Sequence, residues 1–148
     1  MPGYGVSADD AGMLPWSWAV HRLVGAHTYW LSTTRPDGRP HAMAVWGSWS
    51  NDTFVFSTGR SSQKARNLAS QSACVVSTSE GTNAVVVEGV AAPATDEQAR
   101  AFAADCEAKY GMAPPPGEPT FVVQPQVAFG FVDDESFPTT ATRWRFDR

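Results

Sequence analysis

The chain has 148 residues, enough for one hydrophobic core of ordinary size and not for two. Its 43% hydrophobic and 18% charged residues exclude a disordered chain, and a net charge of −4 argues against general affinity for nucleic acid or anionic membrane, so any basic site has to be local. No apolar run approaches the roughly 20 residues of a membrane span, and Met1 to Asp10 lacks the basic and apolar parts of a signal peptide, so a cytoplasmic location is expected.

Pro15 to Ala26 places Trp16, Ala19, Val20, Leu23 and Val24 at spacings of three and four, which predicts a short helix entered through proline. From Thr28 the pattern becomes β-rich (Tyr29, Trp30, Leu31, Thr33, Thr34) and is stopped by the turn residues Pro36, Asp37 and Gly38. The return strand, Pro40 to Trp49, sets His41, Met43, Val45 and Gly47 on one face and Ala42, Ala44, Trp46 and Ser48 on the other. Both faces are mostly apolar, so both are expected to be covered. Asn51 and Asp52 turn the chain into a strand at Thr53 to Thr58, and a short helix follows near Ser62 to Ser70.

Strands at Ala73 to Ser79 and Ala84 to Ala91 flank the turn-forming Glu80, Gly81, Thr82 and Asn83. Glu88 interrupts the second of these, and a structural pairing with an arginine, or exposure at an edge, is favoured over catalysis. Thr95-Asp96-Glu97-Gln98 has the pattern of a capping box, and Ala99, Phe102, Ala103 and Cys106 continue it as an apolar helical stripe ending near Tyr110 and Gly111. Ala113 to Pro119 holds four prolines and a glycine, which makes a stiff surface connector. Strands at Phe121 to Val132 and Ala141 to Phe146 close the chain.

Without repeats or shifts of composition, residues 1–148 read as one domain. Hairpin-linked strands with helices inserted rather than alternating predict a mainly β, antiparallel barrel with a few peripheral helices. A Rossmann sheet is excluded by the missing β-α alternation and the missing G-x-G-x-x-G turn. Cys74 and Cys106 fit no metal or C-x-x-C spacing and read as reduced thiols, and His21, His27 and His41 form no metal pattern. The six tryptophans read as core, interface and ring packing, because the acidic balance removes the funnel that single-stranded nucleic acid needs.

The chemistry concentrates in Phe56 to Leu68. No acidic residue lies between Asp52 and Glu80, so Arg60, Lys64 and Arg66 invert the local charge. Cations at a helix start oppose the macrodipole, and a bound anion resolves the conflict. Free backbone N–H groups, the hydroxyls of Ser57, Thr58, Ser61 or Ser62, and Arg60 and Lys64 would be its donors. Ala65, Leu68 and Ala69 are expected to face the core, leaving Lys64 and Asn67 on an open face. A nucleotide P-loop is disfavoured, since Gln63 stands where that motif needs glycine and Ala65 where it needs serine or threonine.

These segments resemble the pyridoxamine 5′-phosphate oxidase-like superfamily of split β-barrels, and within it the actinobacterial flavin/deazaflavin oxidoreductase branch. The likeness is carried by Tyr29 to His41, Val45-Trp46-Gly47, Phe54 to Gly59 leading into Ser62 to Leu68, Val85 to Val90, and Thr142 to Phe146. It implies a homodimer with cofactor sites at the subunit interface. It also implies a phosphate role for Lys64, helped by Ser57, Thr58, Arg60, Ser62 and Asn67, a strand Met43, Ala44, Val45 and Trp46 lying along the ring system, and contacts from Arg143 and Trp144 of the second subunit.

The implied cofactor is the 8-hydroxy-5-deazaflavin coenzyme F-420, with FMN as the alternative. The implied activity is hydride transfer from reduced cofactor to a planar conjugated small molecule in the apolar space near Trp46 and Trp49. Such chemistry belongs to the cofactor and requires no catalytic side chain, in keeping with the absence of a triad or carboxylate pair. A non-catalytic carrier of cofactor or tetrapyrrole, and a structural dimer without ligand, are the competing readings.

Overall fold

The computed structural model describes residues 4–6, 11–80 and 83–147. The first hairpin pairs β1 (Tyr29–Thr34) with β2 (Pro40–Val45), closed by hydrogen bonds from Gly38 N–H to Arg35 O and from Arg35 N–H to Arg39 O, each 2.8 Å. A second joins β3 (Ser48–Ser50) to β4 (Thr53–Ser57) through Asn51 and Asp52, both at φ 53°. Two consecutive left-handed residues give a turn whose twist matches that of the strands, and Asn and Asp tolerate it well.

β5 (Ala73–Glu80) and β6 (Asn83–Pro93) form the next hairpin; the Gly81 and Thr82 of its predicted turn lie outside the described residues. β7 (Thr120–Val132) and β8 (Thr142–Arg145) complete an antiparallel sheet in the order β2-β1-β5-β6-β7-β4-β3, with β8 paired to β7.

The two edges of this sheet are consecutive in sequence. β2 ends at Val45 and β3 begins at Ser48, so only Trp46 and Gly47 separate opposite edges. So short a link requires the sheet to curl until the end of one edge strand comes near the start of the other. The predicted single strand Pro40 to Trp49 is therefore two strands. The break needs glycine, since a Cβ on Gly47 would stand 2.3 Å from the Phe54 ring and 2.9 Å from Val55 O. A register shift at Glu88/Gly89, opposite Pro125, adds to the curl, because proline has no ladder N–H to give.

Inside the curl lie Tyr29, Leu31, Phe54, Phe56, Val76, Val85, Val87 and Val123, all fully buried, and α1 (Trp16–Gly25) adds Ala19 and Leu23. α3 (Asp96–Tyr110) lies elsewhere, packing Phe102 and Cys106 against Val55 and Val122. Its start is the predicted capping box, with Gln98 N–H donating to Thr95 Oγ1 at 3.1 Å and Thr95 N–H to Gln98 Oε1 at 2.8 Å. Its end is Gly111 at φ 83°. α4 (Phe137–Thr140) is a single turn that the sequence pattern left unassigned, and its Phe137 ring stands edge-on to Phe131.

Two expectations are corrected. β2 is an edge strand whose residues are exposed or half-buried on both faces, because only β1 flanks it. Glu88 is exposed on a central strand and has no ion-pair partner among the described residues. No helix among the described residues is long and apolar enough to cross a membrane.

Candidate functional site

α2 (Gln63–Ser70) starts where β4 has just ended, with Ser62 as its N-cap. Ser62 Oγ accepts from Ala65 N–H at 3.2 Å and from the Thr58 hydroxyl at 3.0 Å. There is no acidic residue in the first turn, and the amides of Gln63 and Lys64 have no acceptor one turn back. Lys64 is half-buried and makes neither a hydrogen bond nor an ion pair among the described residues. Partial positive charge from the helix end and a full charge from Lys64 thus share one place, which favours an anion there.

The other two cations of the segment are differently used. Arg60 donates through its guanidinium to Gly117 O at 2.9 Å and through its backbone N–H to Glu118 Oε2 at 2.8 Å. Arg66 donates to Ser61 O and, at 2.8 Å, to Gln63 Oε1. Ser57 Oγ is likewise committed, donating to Pro119 O at 2.9 Å. The open face expected for Asn67 is corrected too. Asn67 is fully buried, donates to Thr33 Oγ1 at 2.9 Å and accepts from Gln63 Nε2 at 2.7 Å, while Ala69 is exposed.

Beside the helix start opens a cleft of about 700 Å³, within the usual range for small-molecule sites. Trp46, Ser57, Thr58 and Gly59 line one side; Phe102 and Cys106 of α3 and Met112 to Pro116 line the other. The walls are mostly apolar, and Glu118 is the one acidic or basic side chain among them. Trp46 is held in place by a stack on Tyr110, with ring centroids 4.3 Å apart and planes at 2°. The Tyr110 hydroxyl donates to His27 O at 2.6 Å and accepts from Gly47 N–H at 3.1 Å. Lys109 Nζ donates to Gly47 O at 3.0 Å and to the Tyr29 hydroxyl at 2.8 Å. Burial lowers the Lys109 pKa and raises those of Tyr29 and Tyr110.

Of the predicted site residues, Trp46, Ser57 and Thr58 line the cleft, Ser62 is bonded to Thr58, and Lys64 lies in the next turn. Met43, Ala44 and Val45 occupy the edge strand leading to Trp46, where one side of the backbone has no strand partner among the described residues. Arg60 and Asn67 are engaged as described. Arg143 is exposed on β8, while Trp144 packs in its own chain, edge-on to Trp16 at 5.2 Å and donating to Leu14 O at 3.2 Å.

Trp49, expected beside the same apolar space as Trp46, does not line the cleft: it is 7% exposed and packs edge-on to Trp16 in the core. The walls from α3 and the connector carry no sequence motif of a binding site. The one signal for them was the apolar stripe running into Lys109, Tyr110 and the prolines, which reads equally well as core followed by linker.

A family model described as pyridoxamine 5′-phosphate oxidase matches residues 19–136. Among solved structures, a conserved hypothetical protein from Mycobacterium tuberculosis is 19% identical with a TM-score of 0.76, over 86% of this chain and 89% of that one. An F420 reductase is 24% identical with a TM-score of 0.62, over 73% and 94%. The heme storage protein HutZ from Vibrio cholerae is 17% identical with a TM-score of 0.63, over 80% and 92%. No curated protein matches in sequence. At these identities the three structures share the fold with this chain.

Proposed function

The chain belongs to the pyridoxamine 5′-phosphate oxidase family, and from that premise we propose that it is an oxidoreductase using coenzyme F-420, with FMN as the alternative cofactor. The observation that carries the reading is that a helix start bearing the unpaired Lys64 is joined, through the hydrogen bond from Thr58 to the N-cap Ser62, to the wall of a largely apolar cleft of about 700 Å³. A phosphate suits the first and a planar ring system the second.

In this reading Lys64 and the free amides of α2 hold the phosphate, with Thr58 and Ser62 at its margin. Trp46 offers a ring face, and the unpaired backbone edge of Met43 to Val45 offers donors and acceptors to polar atoms on a ring. The cofactor supplies the hydride. The protein's part is to fix the ring against the acceptor and exclude water, which the apolar walls of Phe102, Met112 and Pro114 to Pro116 are suited to do. The acceptor is a planar conjugated small molecule, and no side chain is assigned a catalytic role.

A second protomer completes the site. Trp30, 52% exposed, stands between Ser32 and the exposed Ala42 and Ala44 on an outer sheet face that a second copy would cover. Exposed Arg143 is the proposed contact across that boundary.

Titration of the purified protein with coenzyme F-420 and with FMN tests the reading. Quenching or a shift of cofactor fluorescence at micromolar levels is expected, and reduced cofactor should be consumed when quinones or other conjugated acceptors are added. No change with either cofactor would remove it. Binding without turnover would favour a carrier, a use for which the heme storage protein of the same fold gives precedent.

A further inference from the structure

Gly47 is buried at the joint between β2 and β3, where its N–H and C=O have no ladder partner, so side chains of α3 have to satisfy both. Tyr110 takes the N–H at 3.1 Å. The same hydroxyl stands 3.1 Å from Gly47 O, but its one hydrogen goes to the closer His27 O at 2.6 Å. Gly47 O is left to the Lys109 ammonium, at 3.0 Å.

Among the described residues Lys109 has no carboxylate within ion-pair distance. Its Nζ donates to the Tyr29 hydroxyl at 2.8 Å and stands 4.7 Å and 5.2 Å from the centroids of the Tyr29 and Tyr110 rings. A charge-assisted bond in this half-buried place is stronger than a neutral one. A methionine of similar length would avoid desolvating a charge, yet would leave Gly47 O without a donor.

The rest of α3 is lightly fastened. Its apolar contact with the sheet is Phe102 and Cys106 on Val55 and Val122, and it is undercut on both flanks. On one flank lies the cleft of about 700 Å³, and on the other a pocket of about 240 Å³ beside Gln98, Ala101 and Asp105. The contact there between Ser48 Oγ and Asp105 Oδ2 is long, at 3.5 Å. Where α3 stands relative to Trp46 is thus decided near its end, at Lys109 and Tyr110.

We propose that Lys109 is a positioning residue for the ring-binding part of the cleft: through Gly47 O it fixes the Trp46 ring against the α3 wall, and so governs affinity for the planar part of a ligand and not for its phosphate. The identity of that ligand rests on the cofactor reading above; the link between Lys109 and Trp46 does not. Lys109 lines no part of the cleft and acts only through the backbone next to Trp46.

The test titrates each cofactor beside its phosphate-free form, coenzyme F-420 with its deazaflavin riboside and FMN with riboflavin, at one pH and ionic strength. The phosphate-free form reads the ring, and the ratio of the two affinities reads the phosphate. Lys109→Met should lose about 3- to 30-fold in affinity for the phosphate-free form with the ratio unchanged, whereas Lys64→Ala should lower the ratio. Val87→Ala, in the core and outside the cleft lining, should lower the melting temperature without weakening the ring. If Lys109→Met does not fold, the ammonium resonance of Lys109 in wild type should shift with the phosphate-free form and not with inorganic phosphate. A Lys109→Met protein that binds the ring like wild type, a Val87→Ala protein that loses as much, or a Lys109 resonance indifferent to the ring overturns the inference. If wild type binds neither pair, the cofactor reading fails and Trp46 decides alone. Its quenching by acrylamide, taken as the difference from Trp46→Phe, should rise in Lys109→Met and not in Val87→Ala, and equal quenching in the two sinks the link as well.

Discussion

Asn67 reaches from α2 to Thr33 on β1, its Nδ2 donating to Thr33 Oγ1 at 2.9 Å, and the two residues are 0% and 4% exposed. The contact is the polar pin between the helix and the sheet. Because Gln63 Nε2 donates to Asn67 Oδ1 at 2.7 Å, the pin also fixes the first turn, from which Lys64 extends. Removing it strands a buried hydroxyl and a side-chain amide. Asn67→Ala should therefore cost about 1–3 kcal/mol in urea unfolding and weaken cofactor binding through the loosened first turn of α2. A variant as stable as wild type would show that the pin contributes nothing.

Lys64 and Arg60 should separate cleanly. Lys64 has no internal partner, so Lys64→Ala should leave the ligand-free melting temperature almost unchanged and abolish stabilisation by cofactor. A loss of about 10- to 100-fold in affinity corresponds to a charged hydrogen bond. Arg60→Ala should show the reverse emphasis, loosening the connector at Gly117 with a smaller effect on binding. Thermal scans with and without cofactor measure both quantities for both variants. Equal loss of binding in the two would return Arg60 to the phosphate site.

What was legible in the chain was local. The turns at Asn51-Asp52 and Pro36 to Gly38, the capping box at Thr95 and the αL end at Gly111 depend on neighbours a few residues away, and all were read correctly. What was not legible depends on distant partners. The sequence sums the charge of Arg60, Lys64 and Arg66, but where a guanidinium points is set by what the sheet brings near. Pairing of Ser57 with Thr120 carries Gly117 and Glu118 to Arg60, more than fifty residues away. In α2 the eight residues hold so few apolar side chains that hydrophobic spacing could not reveal which polar residue turns inward; a buried Thr33 opposite decided it. The exposure of β2 escapes the sequence pattern for a related reason. Apolar alternation shows that a strand has surface to hide, not whether its own chain hides it.

The two thiols give a pH prediction whose sign is fixed by burial. Desolvation pushes Cys74 up to about 12, and desolvation with the Asp105 charge pushes Cys106 up to about 11, against an ordinary value of 9.0. Both should stay protonated and slow toward a disulfide reagent at pH 8, reacting fully only after unfolding. An acid whose pKa is raised by folding holds its proton longer in the folded state. Above about pH 9 the unfolded chain binds fewer protons, so stability should fall as pH rises further. Lys109, whose pKa is lowered, acts in the opposite direction, but it is one group against two thiols and the raised phenol of Tyr29. Denaturation midpoints between pH 8 and 10.5 check the sum, and Cys74→Ala with Cys106→Ala should flatten the alkaline decline.

The joint between the two sheet edges is the most sensitive position in the fold. Gly47 has no room for a methyl group against Phe54, and its N–H and C=O are both held from α3 by Tyr110 and Lys109. Gly47→Ala should cost about 1–3 kcal/mol. Tyr110→Phe keeps the ring stacked on Trp46 but removes the hydroxyl from Gly47 N–H and His27 O, at a cost of about 1–2 kcal/mol. Tyr110→Ala removes the stack as well, which frees Trp46 from the cleft wall. Cofactor affinity should then fall further than it does in Tyr110→Phe, with Trp46 fluorescence shifting toward that of a solvated indole. If the phenylalanine and alanine variants bind cofactor equally well, the stack does not set the wall, and the cleft is shaped by α3 and the connector alone.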